Sequence, residues 1–173
     1  MQKLDSMPTL RNTIIVMVSD HGTHLGEKGH WRKGTLWRRA SRVPMIVVAP
    51  GVTSPGSQVT QPVSLLDLYP TLMELTSTDA PTHLQGQSLV PELRDSRTAE
   101  NRKVLITRRP KQRVLEDARW RFIHYRPGVE ELYDIRNDPN EVVNLANDPA
   151  YDRVRWNFRR KLPRNLVDIV KKE

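Results

Sequence analysis

An aspartate and a histidine stand side by side at the end of an apolar run, and they are the sharpest candidates for chemistry in the sequence. Asp20 and His21 follow the β-branched segment 13–18. Open α/β sheets place ligand sites just beyond the carboxyl ends of their strands. A carboxylate is a hard oxygen ligand for Ca²⁺ or Mg²⁺, and the adjacent imidazole adds a nitrogen ligand or a hydrogen bond. The pair indicates a metal or catalytic site, with a capped strand end as the alternative.

The polar segment that follows, residues 23–40, carries more histidines and a glutamate. With His21, the side chains of His24, Glu27 and His30 raise the alternative of a zinc site, although their spacing fits no strong zinc pattern. Tryptophans interleaved with basic residues in this segment also suit nucleic acid. The basic excess is dispersed and no recognised nucleic-acid module is present, so we expect no nucleic-acid partner.

Composition narrows the chemistry further. The 173 residues include 28 Lys or Arg and 20 Asp or Glu, for a formal charge of +8, and no cysteine. The missing cysteine excludes a disulfide framework, a thiolate metal site and a cysteine nucleophile within this sequence. The basic balance favours anionic partners. No stretch approaches the roughly 18 apolar residues of a membrane helix, and the start lacks a signal peptide's apolar core, so we expect no membrane partner.

The first half of the chain has the pattern of an α/β layer. The runs 13–18 and 43–49 are continuously apolar, which predicts strands covered on both faces in a parallel or mixed sheet flanked by helices. Ser64 and Asp67 form a capping box that begins a helix ending near Leu75.

From about residue 97 the pattern changes to short strands separated by turns. Segment 119–125 alternates basic and apolar side chains, as a half-exposed antiparallel strand does, and Pro127-Gly128 predicts a hairpin. The other predicted elements are strands over 104–107 and 131–134 and a helix over 149–161. We therefore predict two domains, residues 1–95 and residues 96–173.

These residues also carry a family resemblance. Segment 12–22, followed by Leu25-Gly26-Glu27, His30-Trp31, Lys33 and segment 40–47, resembles the second half of a sulfatase of the alkaline-phosphatase superfamily. Later segments similar to the family are 63–72, 86–93 and 131–145. The resemblance is nearest to the iduronate-2-sulfatase and choline-sulfatase branch, where Asp-His replaces the Asp-Asn of many arylsulfatases.

The resemblance implies roles for particular residues. Asp20 and His21 match the second pair of ligands of a Ca²⁺ (or Mg²⁺) ion that holds the sulfate, and Lys33 matches a catalytic lysine that contacts a sulfate oxygen. His24 and His30 lie on the same loop and are expected to bind substrate, with Glu27 beside them. The expected reaction is hydrolysis of a sulfate ester on a small molecule or glycan.

The resemblance also implies the fold. We expect an α/β protein containing part of an alkaline-phosphatase-like mixed sheet with flanking helices, plus a small antiparallel β subdomain with a C-terminal helix. If the strands 13–18 and 43–49 normally pack against a further part of the family's fold, they expose an apolar face in this chain, which predicts self-association.

The departures from the family are equally informative. Sulfatases use a formylglycine nucleophile made from Cys or Ser in a Cys/Ser-x-Pro-x-Arg motif, beside a first pair of aspartate ligands. Neither is present here, and in the closest string, Ser6 to Arg11, the arginine is one residue late. We therefore expect the formylglycine in a missing N-terminal half and no turnover by this chain alone. Arg38 and Arg39 stand where relatives usually have an acidic residue.

Two alternative functions remain. One is a phosphonate or phosphate ester hydrolase of the same superfamily, since its members share the metal pair. The other is a non-catalytic basic remnant that binds polyanions through residues 100–173. The localisation stays open, because full-length relatives are often periplasmic, secreted or lysosomal.

Overall fold

The structure is a computed structural model that describes residues 11–98, 102–109 and 111–163. Of the string Ser6 to Arg11, only Arg11 is among the described residues. The strands are β1 (Ile15–Val18), β2 (His24–Leu25), β3 (Trp31–Arg32), β4 (Met45–Val48), β5 (Val104–Arg109), β6 (Gln112–Glu116), β7 (Trp120–Arg126) and β8 (Val129–Asp134). The α-helices are α1 (Arg38–Ser41), α2 (Leu68–Leu75), α3 (Val90–Arg94) and α4 (Asp152–Lys161).

The chain divides into two units by its internal contacts. The first unit contains Met1–Gly22 and Arg42–Asn101, and the second contains Thr23–Ser41 and Arg102–Glu173. Segment Thr23–Ser41 belongs to the second unit because Leu36 is buried among side chains of β6, β7 and β8. The predicted domain division after residue 95 stays a prediction. The two units differ from it because segment Thr23–Ser41 belongs to the second unit and because the first unit extends to Asn101.

In the first unit, β1 and β4 form an antiparallel pair in which Met17 lies opposite Ile46. Their side chains are 54% and 46% exposed, and Val18 is also exposed. The expectation that both faces of these strands are covered is therefore wrong for this chain. Cross-strand partners share one face of a sheet, so Met17 and Ile46 lie side by side on one face, whereas Val18, the next residue of β1, lies on the other.

The capping box that the sequence predicts is present at the start of the helical segment. The Ser64 side chain accepts from the Leu66 N–H at 3.2 Å, and Asp67 Oδ2 accepts from the Ser64 N–H at 2.8 Å. A 3-10 turn over Leu65–Asp67 leads into α2, which ends at Leu75. The other oxygen of the buried Asp67 carboxylate accepts from the Gln87 N–H at 2.9 Å. One carboxylate thus fixes both the helix start and the chain segment before α3.

The second unit is built on an antiparallel sheet of order β5-β6-β7-β8. The three predicted strand segments and the hairpin after β7 are present, and the helix after Pro149 is α4, preceded by a 3-10 turn. The sequence did not predict β6, the strand that joins the first hairpin to the second. Its five residues, Gln-Arg-Val-Leu-Glu, contain only two apolar side chains.

Both faces of this sheet are covered. Phe122 and Leu132 pack against Phe158 of α4 on one face. Ile123 and Tyr133 pack against Leu36 on the other face. Arg121, Phe122 and Ile123 of β7 are consequently all buried, so the prediction of a half-exposed β7 is wrong, although its antiparallel pairing is confirmed.

Among the described residues, no helix combines the length and the apolar character needed to cross a membrane.

Candidate active site

Asp20 and His21 follow directly on the end of β1 in the first unit. The Asp20 side chain is 82% exposed, and its Oδ1 accepts a hydrogen bond from the His21 N–H at 3.0 Å. His21 Nδ1 lies 2.9 Å from the carbonyl oxygen of Gly22. Because a carbonyl only accepts, this contact assigns the proton to Nδ1, and in the neutral ring the lone pair then lies on Nε2. A backbone carbonyl that fixes the ring in this way is a common support for a metal-binding histidine.

The two donor atoms have a separation that suits one divalent cation. Asp20 Oδ2 lies 3.5 Å from His21 Nε2. Two ligands at right angles, each about 2.4 Å from an ion, stand about 3.4 Å apart. The carboxylate oxygen and the imidazole nitrogen therefore fit as a pair of neighbouring ligands. Within the ranges 11–98, 102–109 and 111–163, no group of three or more His, Cys, Asp or Glu side chains could hold a metal ion.

The zinc alternative gains no support from the loop histidines. The rings of His24 and His30 are tilted to each other with centroids 6.1 Å apart. His24 is 1% exposed, and its Nε2 is 2.7 Å from Thr35 Oγ1. The structure thus places His24 in the interior of the second unit, whereas His30 is exposed and packs edge-on against Trp37 at 4.9 Å.

Lys33 lies in an exposed turn of the second unit, just after β3. The residue before it, Arg32, has φ 74°, and the residue after it, Gly34, has φ 94°. A non-glycine residue in the left-handed region costs about 1–3 kcal/mol and persists only where its surroundings hold it. The Lys33 backbone is therefore flanked by two left-handed residues, which define the direction of this turn.

Glu27 holds the base of the same loop. Its Oε2 accepts from the Leu25 N–H and its Oε1 from Arg39 Nε, each at 2.7 Å. These bonds, led by the backbone N–H of Leu25, lower the pKa of Glu27 from 4.5 to about 2. Glu27 thus has a structural role in the loop, and Arg39 is its partner.

Lys28 continues this packing toward the sheet. Its Nζ lies 3.1 Å from the hydroxyl of Tyr133 and 4.8 Å from the centre of the Trp37 ring. Trp37 Nε1 and the Tyr133 hydroxyl both donate to Glu131 Oε2, at 2.7 and 2.9 Å. Burial and the charge of Glu131 raise the pKa of Tyr133. The loop is thereby attached to β8 by an ammonium, two aromatic rings and a carboxylate.

A buried arginine anchors the end of the loop. Arg121 Nη2 donates to the carbonyl oxygen of Leu36 at 2.6 Å and to Ser41 Oγ at 2.9 Å. The Arg121 guanidinium also pairs with Glu116, and its Nε is 3.1 Å from Glu141 Oε1. Burial raises the pKa of Glu141, although the charge of Arg121 opposes that shift. Glu141 Oε2 also accepts from the Arg38 N–H at 2.7 Å.

Sequence reasoning identified the loop but not the residues that hold it. Arg121 sits between the tryptophan and the phenylalanine of β7, and its charge suggested exposure. Its burial depends on two acids in other segments, Glu116 and Glu141. Because these acids have no fixed spacing from Arg121, the sequence alone did not indicate the pairing.

The comparisons with known proteins agree with the fold. Residues 26–168 match the family described as "N-sulphoglucosamine sulphohydrolase, C-terminal". The chain is 36% identical over 145 residues to a sulfatase of Formosa agariphila, covering 84% of this chain and 28% of the relative. It is 32% identical over 168 residues to a Δ4,5-hexuronate-2-O-sulfatase of Bacteroides thetaiotaomicron, covering 89% of this chain and 34% of the relative.

Solved structures give the same result. A protein solved in complex with its substrate D-glucosamine-2-N,6-O-disulfate has a TM-score of 0.76 at 26% identity, over 92% of this chain and 35% of that chain. A 2-O GAG sulfatase has a TM-score of 0.78 at 29% identity, over 92% of this chain and 37% of that chain. The phosphonate monoester hydrolase of Agrobacterium radiobacter has a TM-score of 0.74 at 28% identity, over 93% of this chain and 36% of that chain.

The fold is therefore part of an alkaline-phosphatase-like fold, as the resemblance implied. The chain belongs to the sulfatase family and corresponds to its C-terminal portion. It spans about a third of the length of the relatives it matches.

Proposed function

We propose that this chain forms the C-terminal part of a sulfuric ester hydrolase and supplies half of its divalent-metal site. Asp20 and His21 would hold Ca²⁺ (or Mg²⁺) through a carboxylate oxygen and through Nε2. The exposed Asp20 carboxylate beside a histidine whose Nδ1 faces a carbonyl is the observation that carries this proposal. When bound, a divalent ion supplies positive charge that offsets the charge of the sulfate group.

Lys33 would contact a sulfate oxygen with its ammonium group and neutralise charge as the ester oxygen leaves. His30, exposed on the same loop, would bind the rest of the substrate. The buried His24 would contribute by supporting His30 and Trp37, whose ring centres lie about 6 Å from its own. The substrate class that we propose is a sulfated glycan or small molecule, since similar proteins bear the names of sulfatases acting on such compounds.

The nucleophile would come from outside these 173 residues. The sequence has no cysteine and no Cys/Ser-x-Pro-x-Arg motif from which formylglycine forms. We accordingly propose that the 173-residue chain alone has no turnover. Hydrolysis of 4-methylumbelliferyl sulfate by the purified chain at an ordinary enzymatic rate, with contaminating enzyme excluded, would disprove this.

Calcium titration of the chain tests the metal proposal. In isothermal titration calorimetry, Asp20→Asn should abolish weak Ca²⁺ binding, because it removes the charged oxygen ligand. Asp79→Asn is a matched control, since Asp79 is an exposed aspartate of the same unit. Equal binding by the two variants would refute Asp20 as a ligand.

A second candidate is hydrolysis of phosphonate or phosphate monoesters. The similarity to the phosphonate monoester hydrolase at a TM-score of 0.74 favours it specifically. The test is a protein that combines this chain with the remaining two thirds of such a fold. A higher kcat/KM for phenyl phosphonate than for phenyl sulfate would favour the second candidate, and the reverse would favour the sulfatase.

A further inference from the structure

Exposed basic side chains gather at one end of the four-stranded sheet. Arg113 of β6 pairs with His124 of β7, so the β5–β6 turn and the β7–β8 turn lie at the same end. The exposed residues there are Arg108, Arg109, Lys111 and Arg126. This end of the sheet therefore carries four positive charges on two neighbouring hairpins.

No acid neutralises these four charges within the described residues, where none of them forms an ion pair. Several other basic residues of the second unit are paired with acids: Lys103 is 2.7 Å from Asp117, and Arg119 is 2.9 Å from Asp134. Unneutralised cations of one sign raise the local concentration of anions and steer them to the surface. This end of the sheet, with Arg108, Arg109, Lys111 and Arg126, is called the hairpin end below. It is thus suited to binding an external anion.

Arg108 brings this charge to the loop that carries Lys33. Arg108 stands where the register of β5 against β6 shifts, between Thr107 and Arg109, so it lies at a β-bulge. The guanidinium lies against Gly34, where a Cβ would be 3.5 Å from Arg108 Nη2. Gly34 directly follows Lys33, so the Arg108 guanidinium lies beside the turn that carries Lys33.

We propose that Arg108 is a specificity-determining residue that binds a second anionic group of a sulfated glycan whose sulfate ester contacts Lys33. The inference rests on the proposed function of Lys33. A guanidinium presents two parallel N–H donors that match a carboxylate or a sulfate, which an ammonium does not. The second group is therefore a uronate carboxylate or a second sulfate of the same glycan, and substrates with one anion gain nothing from Arg108.

Three probes distinguish these cases in binding titrations with the 173-residue chain. N-Acetylglucosamine 6-sulfate carries one anion, glucosamine 2-N,6-O-disulfate adds a sulfate, and an unsaturated chondroitin 6-sulfate disaccharide adds a carboxylate. Arg108→Met keeps an unbranched apolar side chain and removes the charge. It should weaken binding of one or both of the two-anion probes about tenfold, as expected for one charge-assisted pair, and change the single-anion probe less than about twofold.

Control variants separate this site from general attraction and from the proposed function. Arg136→Met removes an exposed charge of the same unit away from the hairpin end and should leave all three affinities unchanged. Arg108→Lys should recover only part of the lost affinity, because it restores charge without the paired donors. Lys33→Met should weaken all three probes.

The outcomes are distinct. Equal losses for all three probes with Arg108→Met, losses matched by Arg136→Met, or no binding of the two-anion probes to the unaltered chain would overturn the inference. A selective loss with Arg108→Met, together with no effect of Lys33→Met, would retain Arg108 as an anion site and refute the proposed role of Lys33.

Discussion

Arg121 donates two hydrogen bonds to the backbone carbonyl of Leu36, from Nη2 at 2.6 Å and from Nε at 3.2 Å. Arg121 is 1% exposed and lies 85 residues away from Leu36 in the sequence. A buried guanidinium is tolerated only where acids and acceptors surround it, and here Glu116 and Glu141 provide the acids. The position of the loop is thus coupled to a charged cluster inside the second unit.

Removing this guanidinium should destabilise the second unit strongly. Arg121→Met removes the cation beside the buried Glu141 and one of the two cations beside Glu116, and breaking a buried pair costs about 3–5 kcal/mol. Arg121→Lys keeps the charge but cannot reach all the acceptors, so we expect an intermediate loss. Urea unfolding followed by tryptophan fluorescence measures both. A loss below about 1 kcal/mol for Arg121→Met, comparable to the exposed control Arg136→Met, would contradict the anchoring role.

The loop should lose stability in acid through Glu27. The folded pKa of Glu27, about 2, lies below its usual value of 4.5, so the unfolded chain binds the proton more readily. The resulting stabilisation is fully present above about pH 4.5 and is lost as the pH falls toward 2. Thermal melts of the chain and of Glu27→Gln should therefore differ at pH 6 and converge near pH 2. Glu74→Gln, which alters an exposed glutamate of α2, should leave the profile unchanged, and a constant difference at all pH values would count against the assignment.

A methyl group at Gly86 should disrupt the first unit. A Cβ there would lie 2.0 Å from the Leu66 carbonyl oxygen, so the backbone must move. We expect Gly86→Ala to cost about 3 kcal/mol, in the upper range for overpacking. Gly56→Ala is the control, since Gly56 has open space and a φ of 74°, and it should cost only about 1–2 kcal/mol of left-handed strain. Similar losses in urea unfolding would show that the close approach is unimportant.

The exposed face of β1 and β4 should cause the chain to associate. Met17 and Ile46 lie opposite each other and are both exposed, and apolar sheet faces of this kind promote pairing between molecules. Met17→Lys combined with Ile46→Glu keeps the net charge and should shift sedimentation toward the monomer. Val142→Lys changes an exposed valine of the second unit and should have no such effect. A monomeric unaltered chain at tens of micromolar would refute self-association.

The sequence predicted the elements whose signals are local. The capping box of Ser64 and Asp67 was recognised because its two partners are three residues apart, and the hairpin at Pro127-Gly128 because turn residues determine it. Asp20 and His21 could be singled out because a strand end is visible in the sequence pattern.

Long-range pairing explains what the sequence did not predict. The burial of Arg121 depends on Glu141 and on the Leu36 carbonyl, and nothing near residue 121 indicates them. The approach of Arg108 to Gly34 likewise depends on how the loop lies on the sheet. Strands 13–18 and 43–49 have the composition of covered strands, but the covering elements cannot be read from their own residues.

The attachment of the loop to residues far along the chain has a consequence for synthesis. The hydrogen-bond partner of Trp37, Glu131, lies 94 residues later in the sequence, and that of Arg38, Glu141, lies 103 residues later. At translation rates of about 5–20 residues per second, about 5–20 seconds pass between synthesis of the loop and synthesis of the residues that order it. We expect the turn around Lys33 to become ordered only after β8 and Glu141 have left the ribosome, so a message cut short before the codon for Glu141 would leave that turn without its support.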